Sequence, residues 1–250
     1  MADTLWFWPA ALTVLGLIFG SFIATVVLRW PEEERSPLRG RSQCDGCGKS
    51  LSAGELVPLI SFLVQRGRCR ACGGRISRVH PACEALAMLI GLSAGLAMPG
   101  WAGVAGAVFG WLLLTLGALD WRAFWLPDLL TSMLALAGIV AGLCGFAPSL
   151  SDRAIGGAAG FAVIWLVAAG YRHLRGRDGL GGGDAKLIGA IGLWLGWRAL
   201  PLLVLSASLI GLIAVLSAIL RGQRMAATTP LPLGTMLALA GYALWLTGAG

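Results

Sequence analysis

Long apolar stretches, each bounded by charged residues or proline, follow one another along most of this 250-residue chain. A membrane-spanning helix takes roughly 20 apolar residues. The mean hydropathy of +0.80 and a charged fraction of only 12% exclude a soluble or disordered protein. Eight stretches predict helices, at 8–28, 82–98, 102–119, 129–147, 154–171, 186–197, 200–220 and 233–249. The sequence therefore predicts an all-α polytopic membrane protein, a bundle of about eight transmembrane helices.

The longest polar segment follows the first apolar stretch. That stretch ends at Arg29 with no small-residue cleavage site behind it, which indicates a retained span and not a signal peptide. We expect a first transmembrane helix at 1–29, a small inserted domain at 30–81 and a transmembrane domain at 82–250. A large soluble catalytic domain does not fit, so an active site must lie in or against the bilayer.

The basic residues indicate the orientation of the spans. With the N-terminus outside, eight spans place all but Arg153 and Arg198 of the 19 lysines and arginines on the inner side. An excess of positive charge is typical of cytoplasmic loops. The same orientation makes the segment 30–81 cytoplasmic, and it explains the basic balance of the chain without a nucleic-acid partner.

Four of the six cysteines form two pairs in the predicted cytoplasmic domain. Each pair has two intervening residues and is followed by a glycine; the cysteines are Cys44, Cys47, Cys69 and Cys72. Two such turns can supply four thiolates in a tetrahedron around Zn²⁺, a closed site with a structural role, so we expect a zinc-ribbon-like domain. A pair of disulfides is the alternative, which the reducing cytoplasm disfavours. Cys83 and Cys144 lie in apolar sequence, which predicts small core residues.

Aspartates at the ends of predicted spans are costly there and indicate function. Asp120 ends one span and Asp184 follows the glycines 181–183, both at cytoplasmic helix ends. Two adjacent carboxyls in a poorly solvated site share one proton, so one can activate water while the other polarises a carbonyl, as in aspartic proteases. The glycines would let a substrate backbone approach. A solvated helix cap or an arginine partner is the alternative, and Asp128, after Pro127, is typical of such a cap.

Other catalytic groupings cannot be assembled from this sequence. The two histidines, His80 and His173, lie in basic loops without a partner serine, aspartate or second metal ligand. The glycine-rich run that ends at Lys186 follows no strand and lacks the Gly-Lys-Ser/Thr ending of a phosphate-binding loop. Nucleotide binding at this run is therefore disfavoured.

The motifs of this chain resemble those of the type IV prepilin peptidases, a family of membrane aspartic proteases with a Gly-x-Gly-Asp motif. The matches follow the order of the family and span most of the chain. They are Gly20-Ser21-Phe22 with Arg29-Trp30-Pro31, the two cysteine pairs, Pro58-Leu59-Ile60-Ser61-Phe62, Pro81 with Glu84, Asp120 and Leu126-Pro127-Asp128 with Leu130-Thr131, and Gly181 to Leu187 around Asp184. The ordered set is far more specific than any one motif.

The resemblance implies an inner-membrane enzyme that cleaves the short basic leader of prepilins and pseudopilins after a glycine, on the cytoplasmic side. It implies Asp120 and Asp184 as the catalytic pair and 82–250 as the peptidase domain. We expect substrate contact from neighbouring residues, namely Gly181, Gly183, Lys186, Pro127 and Asp128. Many members then methylate the new N-terminus with S-adenosylmethionine, a step to which we assign Glu84. The implied partners are the prepilin substrates and membrane lipid.

Two positions depart from the family pattern. Ala24 and Leu56 stand where the family usually has asparagine, both in the part linked to methylation. We therefore expect the peptidase activity and leave the methyltransferase activity open. The competing interpretations are a transporter with a zinc-ribbon domain, whose aspartates relay ions, and a non-catalytic membrane scaffold. A transporter is disfavoured because the sequence has no matching pair of interrupted helices in two halves.

Overall fold

The computed structural model describes residues 2–31, 42–176, 181–223 and 229–248. These ranges contain nine α-helices and no strand. The helices are α1 (Ala2–Arg29), α2 (Ile60–Val64), α3 (Val79–Ala97), α4 (Trp101–Ala123), α5 (Asp128–Leu143), α6 (Leu150–Arg175), α7 (Gly182–Leu195), α8 (Leu200–Leu220) and α9 (Leu233–Leu246). Short 3₁₀ helices lie at Ala53–Glu55 and Trp197–Ala199. The all-helical prediction is confirmed for the described part of the chain.

Each of the eight predicted helices has a counterpart in the structure, with differences at the ends. Helix α5 stops at Leu143, earlier than predicted, because Gly145 adopts a positive φ of 80° in the turn that follows. Helix α7 begins at Gly182, inside a glycine run that was expected to precede it. The five-residue helix α2 was not predicted from the sequence.

The described helices identify a multi-pass membrane protein. Five of them are long and apolar enough to cross a bilayer, while α5 and α9 are apolar but shorter. The five lie at Trp6–Arg29, Val79–Ala97, Trp101–Ala123, Leu150–Arg175 and Trp197–Leu220. Eight spans therefore stay a prediction. The segment 32–41 of the predicted cytoplasmic domain and the segments 177–180 and 224–228 lie outside the described residues.

The chain divides within α4 into two compact units, 1–107 and 108–250. In the first unit α1 and α3 pack backbone to backbone through glycines on both helices. A Cβ atom at Gly16 would overlap the carbonyl of Ala87, and one at Gly91 would overlap the carbonyl of Leu12. Small residues allow this close approach, which favours association between helices that are already in lipid.

In the second unit α7 forms the buried centre. Most of its side chains are buried, and it contacts α5, α6 and α9. The closest approach is to α6, where a Cβ atom at Gly156 or Gly192 would overlap the backbone of the other helix. At 14 residues, α7 is only about 21 Å long. Because protein and not lipid surrounds α7, its shortness does not expose its ends to hydrocarbon.

Arg153 connects three helices of the second unit. It belongs to α6, is only 2% exposed, and has no carboxylate partner in the described chain. Each of its five N–H groups instead donates to a backbone carbonyl. The acceptors are the carbonyls of Gly138 (3.1 Å), Phe146 (3.3 Å), Ala147 (2.8 Å), Pro148 (3.0 Å) and Leu193 (2.8 Å). The guanidinium therefore ties the C-terminal parts of α5 and α7 to α6.

We expect Arg153→Leu to lower the free energy of unfolding by roughly 3 kcal/mol, because five hydrogen bonds are lost at about 0.6 kcal/mol each in a membrane. Reversible unfolding in mixed micelles measures the change. Arg198→Leu is the matched control, since Arg198 is exposed near the same end of α7. Equal effects of the two substitutions would contradict the role assigned to Arg153.

Candidate active site and metal site

Asp120 lies near the C-terminal end of α4 and is 5% exposed. Its Oδ2 accepts a hydrogen bond from the N–H of Thr235 (2.9 Å) and interacts with the N–H of Gly234. The Thr235 hydroxyl lies 3.3 Å from the same oxygen and donates to the carbonyl of Gly117 at 2.7 Å. Asp120 is thus fixed by backbone and side-chain groups from the start of α9.

Asp120 lies between two helix ends, and its position satisfies hydrogen-bond donors at one of them. The first N–H groups of α9 have no partner within their own helix, and the preceding Pro232 provides no side-chain cap. The Asp120 carboxylate accepts hydrogen bonds from these N–H groups. A negative charge is unfavourable at the C-terminal end of α4 but favourable at the N-terminal end of α9. The carboxylate therefore acts as a cap supplied by another helix.

Asp184 lies in the first turn of α7 and is half-buried. Its carboxyl lies over Gly181, since a Cβ atom there would be 3.2 Å from Oδ2. Leu126 packs against Gly183, the residue before Asp184, and against Gly234, which contacts Asp120, so the two carboxyls lie in the same region of the second unit. The structure therefore brings together the two aspartates that the sequence analysis paired.

Leu126 connects the segments that carry the two aspartates. A Cβ atom at Gly234 would lie 3.0 Å from Asp120 Cγ and 3.0 Å from the Leu126 side chain. A Cβ atom at Gly183 would lie 3.0 Å from the Cβ atom of Leu126. Both glycines are needed for this close packing. The space over Gly183 is thus filled by Leu126 and is not open to a substrate.

Asp128 and Lys186 form an ion pair with each other at 2.6 Å, and their side chains are 71% and 46% exposed. Pro127 is the N-cap residue of α5 and no side chain caps this helix, so Asp128, in the first turn, is not the cap that the sequence predicted. The pair lines a cavity of about 420 Å³ between α5, α6 and α7, together with small residues such as Gly157, Ala158 and Gly189. Substrate contact by these residues stays a prediction.

Glu84 belongs to the first unit and is 6% exposed. Its Oε2 accepts a hydrogen bond from the N–H of Leu59 at 2.8 Å, which ties α3 to the segment before α2. Of the two positions that depart from the family pattern, Ala24 is fully buried and Leu56 is 39% exposed. Neither carries a polar side-chain atom, so neither can bind a cofactor through its side chain.

The four paired cysteines form a cluster whose Sγ atoms all lie within 4.8 Å of one another. The Sγ atoms of Cys44 and Cys72 are 3.8 Å apart, as expected for a tetrahedron with metal–sulfur bonds of about 2.3 Å. Gly48 and Gly73 have φ angles of 69° and 70°, which confirms the predicted glycine turns. The N–H groups of Cys72 and Ala71 lower the pKa of Cys69 to about 6. The donor set fits one closed, four-thiolate metal site.

All six cysteines are free thiols, so the disulfide alternative has no support in the structure. Cys83 is buried, as predicted. The prediction for Cys144 is wrong, because this residue follows the last residue of α5 and is exposed.

Comparisons with known proteins agree with the division of the chain. The profile of the bacterial peptidase A24 N-terminal domain matches residues 14–98, and the profile of the type IV leader peptidase family matches residues 107–216. Three similar proteins are named prepilin leader peptidase/N-methyltransferase. They come from Aeromonas hydrophila (34% identical; 97% of this chain and 92% of the relative), Burkholderia pseudomallei strain K96243 (39%; 94% and 84%) and Dickeya chrysanthemi (38%; 94% and 90%). The chain belongs to the type IV leader peptidase family.

Membership of the leader peptidase family leaves the transporter interpretation without support. No solved structure matches the chain significantly. The family profiles cover both the cysteine cluster and the two aspartates.

Sequence reasoning missed the residues that hold the aspartates in place. Thr235 and Gly234 contact Asp120, and Arg153 binds the far ends of α5 and α7. One signal was available, since Pro232 and Gly234 mark a helix start whose free N–H groups need an acceptor. For Arg153 no such signal was available, since it follows Asp152 and precedes the predicted helix at 154–171.

We expect protein purified without chelators to contain about one metal ion per chain, because four thiolates form one closed site. Cys44→Ser and Cys72→Ser should each lower the metal content and destabilise the segment 42–78. Elemental analysis with limited proteolysis measures both effects. Cys144→Ser is the matched control. Full metal occupancy after the loss of two cluster cysteines would contradict this site.

Proposed function

We propose that this chain is a membrane aspartic endopeptidase that cleaves the leader of prepilins or pseudopilins after a glycine, on the cytoplasmic side. The observation that supports the proposal is the packing of Leu126 against the glycines beside Asp184 and Asp120, within one compact unit. The names of the relatives support the substrate class, because they describe prepilin leader peptidases. Inner-membrane location and an outside N-terminus follow from the positive-inside pattern.

The surroundings of the two carboxyls suggest different roles. Asp120 accepts a hydrogen bond from the N–H of Thr235 at 2.9 Å, and such a donor stabilises a carboxylate. Asp184 has only the N–H of Gly181 as such a neighbour. We assign the ionised state to Asp120 and the shared proton to Asp184, in the resting dyad.

The reaction then needs only the dyad and a water molecule. Asp120 takes a proton from the water as its oxygen attacks the scissile carbonyl carbon, while Asp184 donates its proton to the carbonyl oxygen. In the second step the tetrahedral intermediate returns a hydroxyl proton to Asp184, and Asp120 gives its proton to the leaving nitrogen as the C–N bond breaks. The products are the leader peptide, which ends in a carboxylate, and the remaining chain, which has a new N-terminal amine.

The neighbouring residues have separate roles in this proposal. Gly181 leaves room beside Asp184 for the substrate backbone, whereas Gly183 acts by admitting Leu126. Lys186 and Asp128 line the cavity between α5, α6 and α7 and contact the substrate there, together with the neighbouring Pro127. The parts of the chain are the first span at 1–29, the cytoplasmic domain at 30–81 and the peptidase domain at 82–250.

We assign the cysteine cluster to zinc with a structural role. Zinc prefers tetrahedral thiolate sites, and four protein ligands leave no open position for a substrate. The described segment 42–78 has two isolated β-bridges, Gln43 with Ser50 and Arg68 with Arg75, one in each cysteine turn. A segment this small cannot form an adequate core of its own, so the metal supplies its stability.

We expect Asp120→Asn and Asp184→Asn each to reduce leader cleavage at least about a hundredfold, because proton transfer by one acid–base group contributes that much. Asp128→Asn should retain more activity. A co-expressed prepilin, followed by mass spectrometry, measures cleavage. Asp152→Asn is a matched control, since Asp152 lies beside Gly196 at the opposite end of α7. Near wild-type cleavage by either of the first two variants would overturn the dyad.

Methylation of the new N-terminus stays a weaker part of the proposal. The relatives carry N-methyltransferase in their names, and Glu84 is present. The missing amides at Ala24 and Leu56 each remove a hydrogen-bond donor and acceptor.

We expect S-adenosylmethionine binding to be roughly tenfold to hundredfold weaker than with asparagine at both positions, because a lost hydrogen bond costs about 0.5–1.5 kcal/mol. Mature pilin from the cleavage assay should then lack the mass of a methyl group on most chains. Ala24→Asn with Leu56→Asn tests the direction of the effect. Complete methylation by the unchanged protein would show that other residues bind the cofactor.

A further inference from the structure

Helix α2 carries an apolar face that no described part of the first unit covers. Ile60, Leu63 and Val64 are 61%, 72% and 64% exposed, and their spacing places them on one side of the helix. Phe62 points the other way, since a Cβ atom at Gly67 would lie 3.0 Å from its ring. The preceding Leu56 and Val57, each 39% exposed, extend the same apolar surface. We call these five exposed residues the α2 patch.

The structure also gives the depth of this patch. The N–H of Leu59, immediately before α2, donates to Glu84 at 2.8 Å. Glu84 lies about 8 Å along α3 from its first residue, Val79, in one of the candidate membrane spans. Helix α2 therefore begins beside the first turns of a span, where the membrane surface lies.

The backbone before α2 is held in an uncommon conformation. Leu59 has φ 61° and ψ −49°, and the N–H of Ile60 donates to the carbonyl of Pro58 at 2.6 Å, which makes a γ-turn of the rare type. The bond to Glu84 keeps the central N–H of this turn satisfied. This turn changes the chain direction between the preceding segment and α2. The orientation of the α2 patch is therefore fixed by the structure.

Positive charge is concentrated in the segment that follows the α2 patch. Five exposed arginines lie in the segment that follows α2, namely Arg66, Arg68, Arg70, Arg75 and Arg78. The acidic Glu55 is already paired with Lys49 at 3.0 Å, and the N–H of Ser52 with the Lys49 side chain lowers the pKa of Glu55 to about 2. An apolar face with a basic border matches an anionic lipid surface.

We infer that the α2 patch inserts into the anionic headgroup region of the membrane that the chain itself spans, so that the segment 42–78 lies on this surface. A five-residue helix is not stable alone in water, and burial of its apolar face in the bilayer boundary supplies what is missing. The arginines bind lipid phosphates at the same level.

The test is a depth measurement on the full chain. A ketone-bearing residue at position 63 takes a nitroxide label without using the cysteines, and the protein is placed in vesicles of phosphatidylcholine and phosphatidylglycerol in equal amounts. Oxygen collects in lipid and a nickel chelate in water, so their collision rates with the label report its depth. We expect a label at position 63 to meet oxygen and to be shielded from nickel. A label at the exposed Ala71 is the matched control and should meet nickel.

Two variants test the two contributions separately. Because position 63 carries the label, the apolar face is disrupted at the two neighbouring positions. The double variant Ile60→Asp with Val64→Asp should move the label into water. Arg66→Gln, Arg68→Gln and Arg70→Gln together should weaken surface binding by roughly a hundredfold, since each basic residue contributes about fivefold. In neutral phosphatidylcholine vesicles, the label on the otherwise unchanged protein should likewise become more accessible to the nickel chelate. Unchanged metal content shows that the variants are folded.

A water-exposed label at position 63 in the anionic vesicles would overturn the inference. Shielding from both reagents would overturn it as well, because this result means that protein covers the α2 patch. Neither outcome depends on cleavage, so the test is independent of the proposed peptidase activity.

Discussion

Helix ends buried inside a membrane protein must find hydrogen-bond partners within the protein, because hydrocarbon offers none. This constraint organises the second unit. The guanidinium of Arg153 donates hydrogen bonds to carbonyls of α5, α7 and the loop between α5 and α6. The carboxylate of Asp120 accepts hydrogen bonds from the first N–H groups of α9. A positive group thus satisfies C-terminal ends and a negative group an N-terminal end, in agreement with the helix dipoles.

The same constraint places Asp184. Helix α7 can be short only because α5, α6 and α9 surround it, and the contact with α6 needs glycine at positions 156 and 192. Trp194 fixes the other side through its N–H bond to the carbonyl of Leu134 at 2.8 Å and its stacking on Phe109. With the C-terminal half of α7 held in this way, its N-terminal turn and Asp184 have a defined position beside Asp120.

The sequence was sufficient for features that have a local signature. Hydropathy located eight helices, cysteine spacing located the metal cluster, and aspartates beside span ends indicated the carboxyl pair. The contacts that hold these features together have no local signature. Thr235 is 115 residues from Asp120, and Arg153 is 40 residues from Leu193. Helix α2 was missed for a different reason, since five residues are too few for a periodic pattern and a Gly-free γ-turn at Leu59 is not expected.

The two aspartates occupy opposite kinds of helix end, so their hydrogen-bonding surroundings differ. Asp184 lies at the N-terminal end of its own helix, and its carboxyl lies over Gly181, the N-cap residue of that helix. Asp120 lies at the wrong end of its own helix and is stabilised by α9 instead. Movement of α9 relative to α4 would therefore remove the N–H donors from Asp120 and leave Asp184 unchanged.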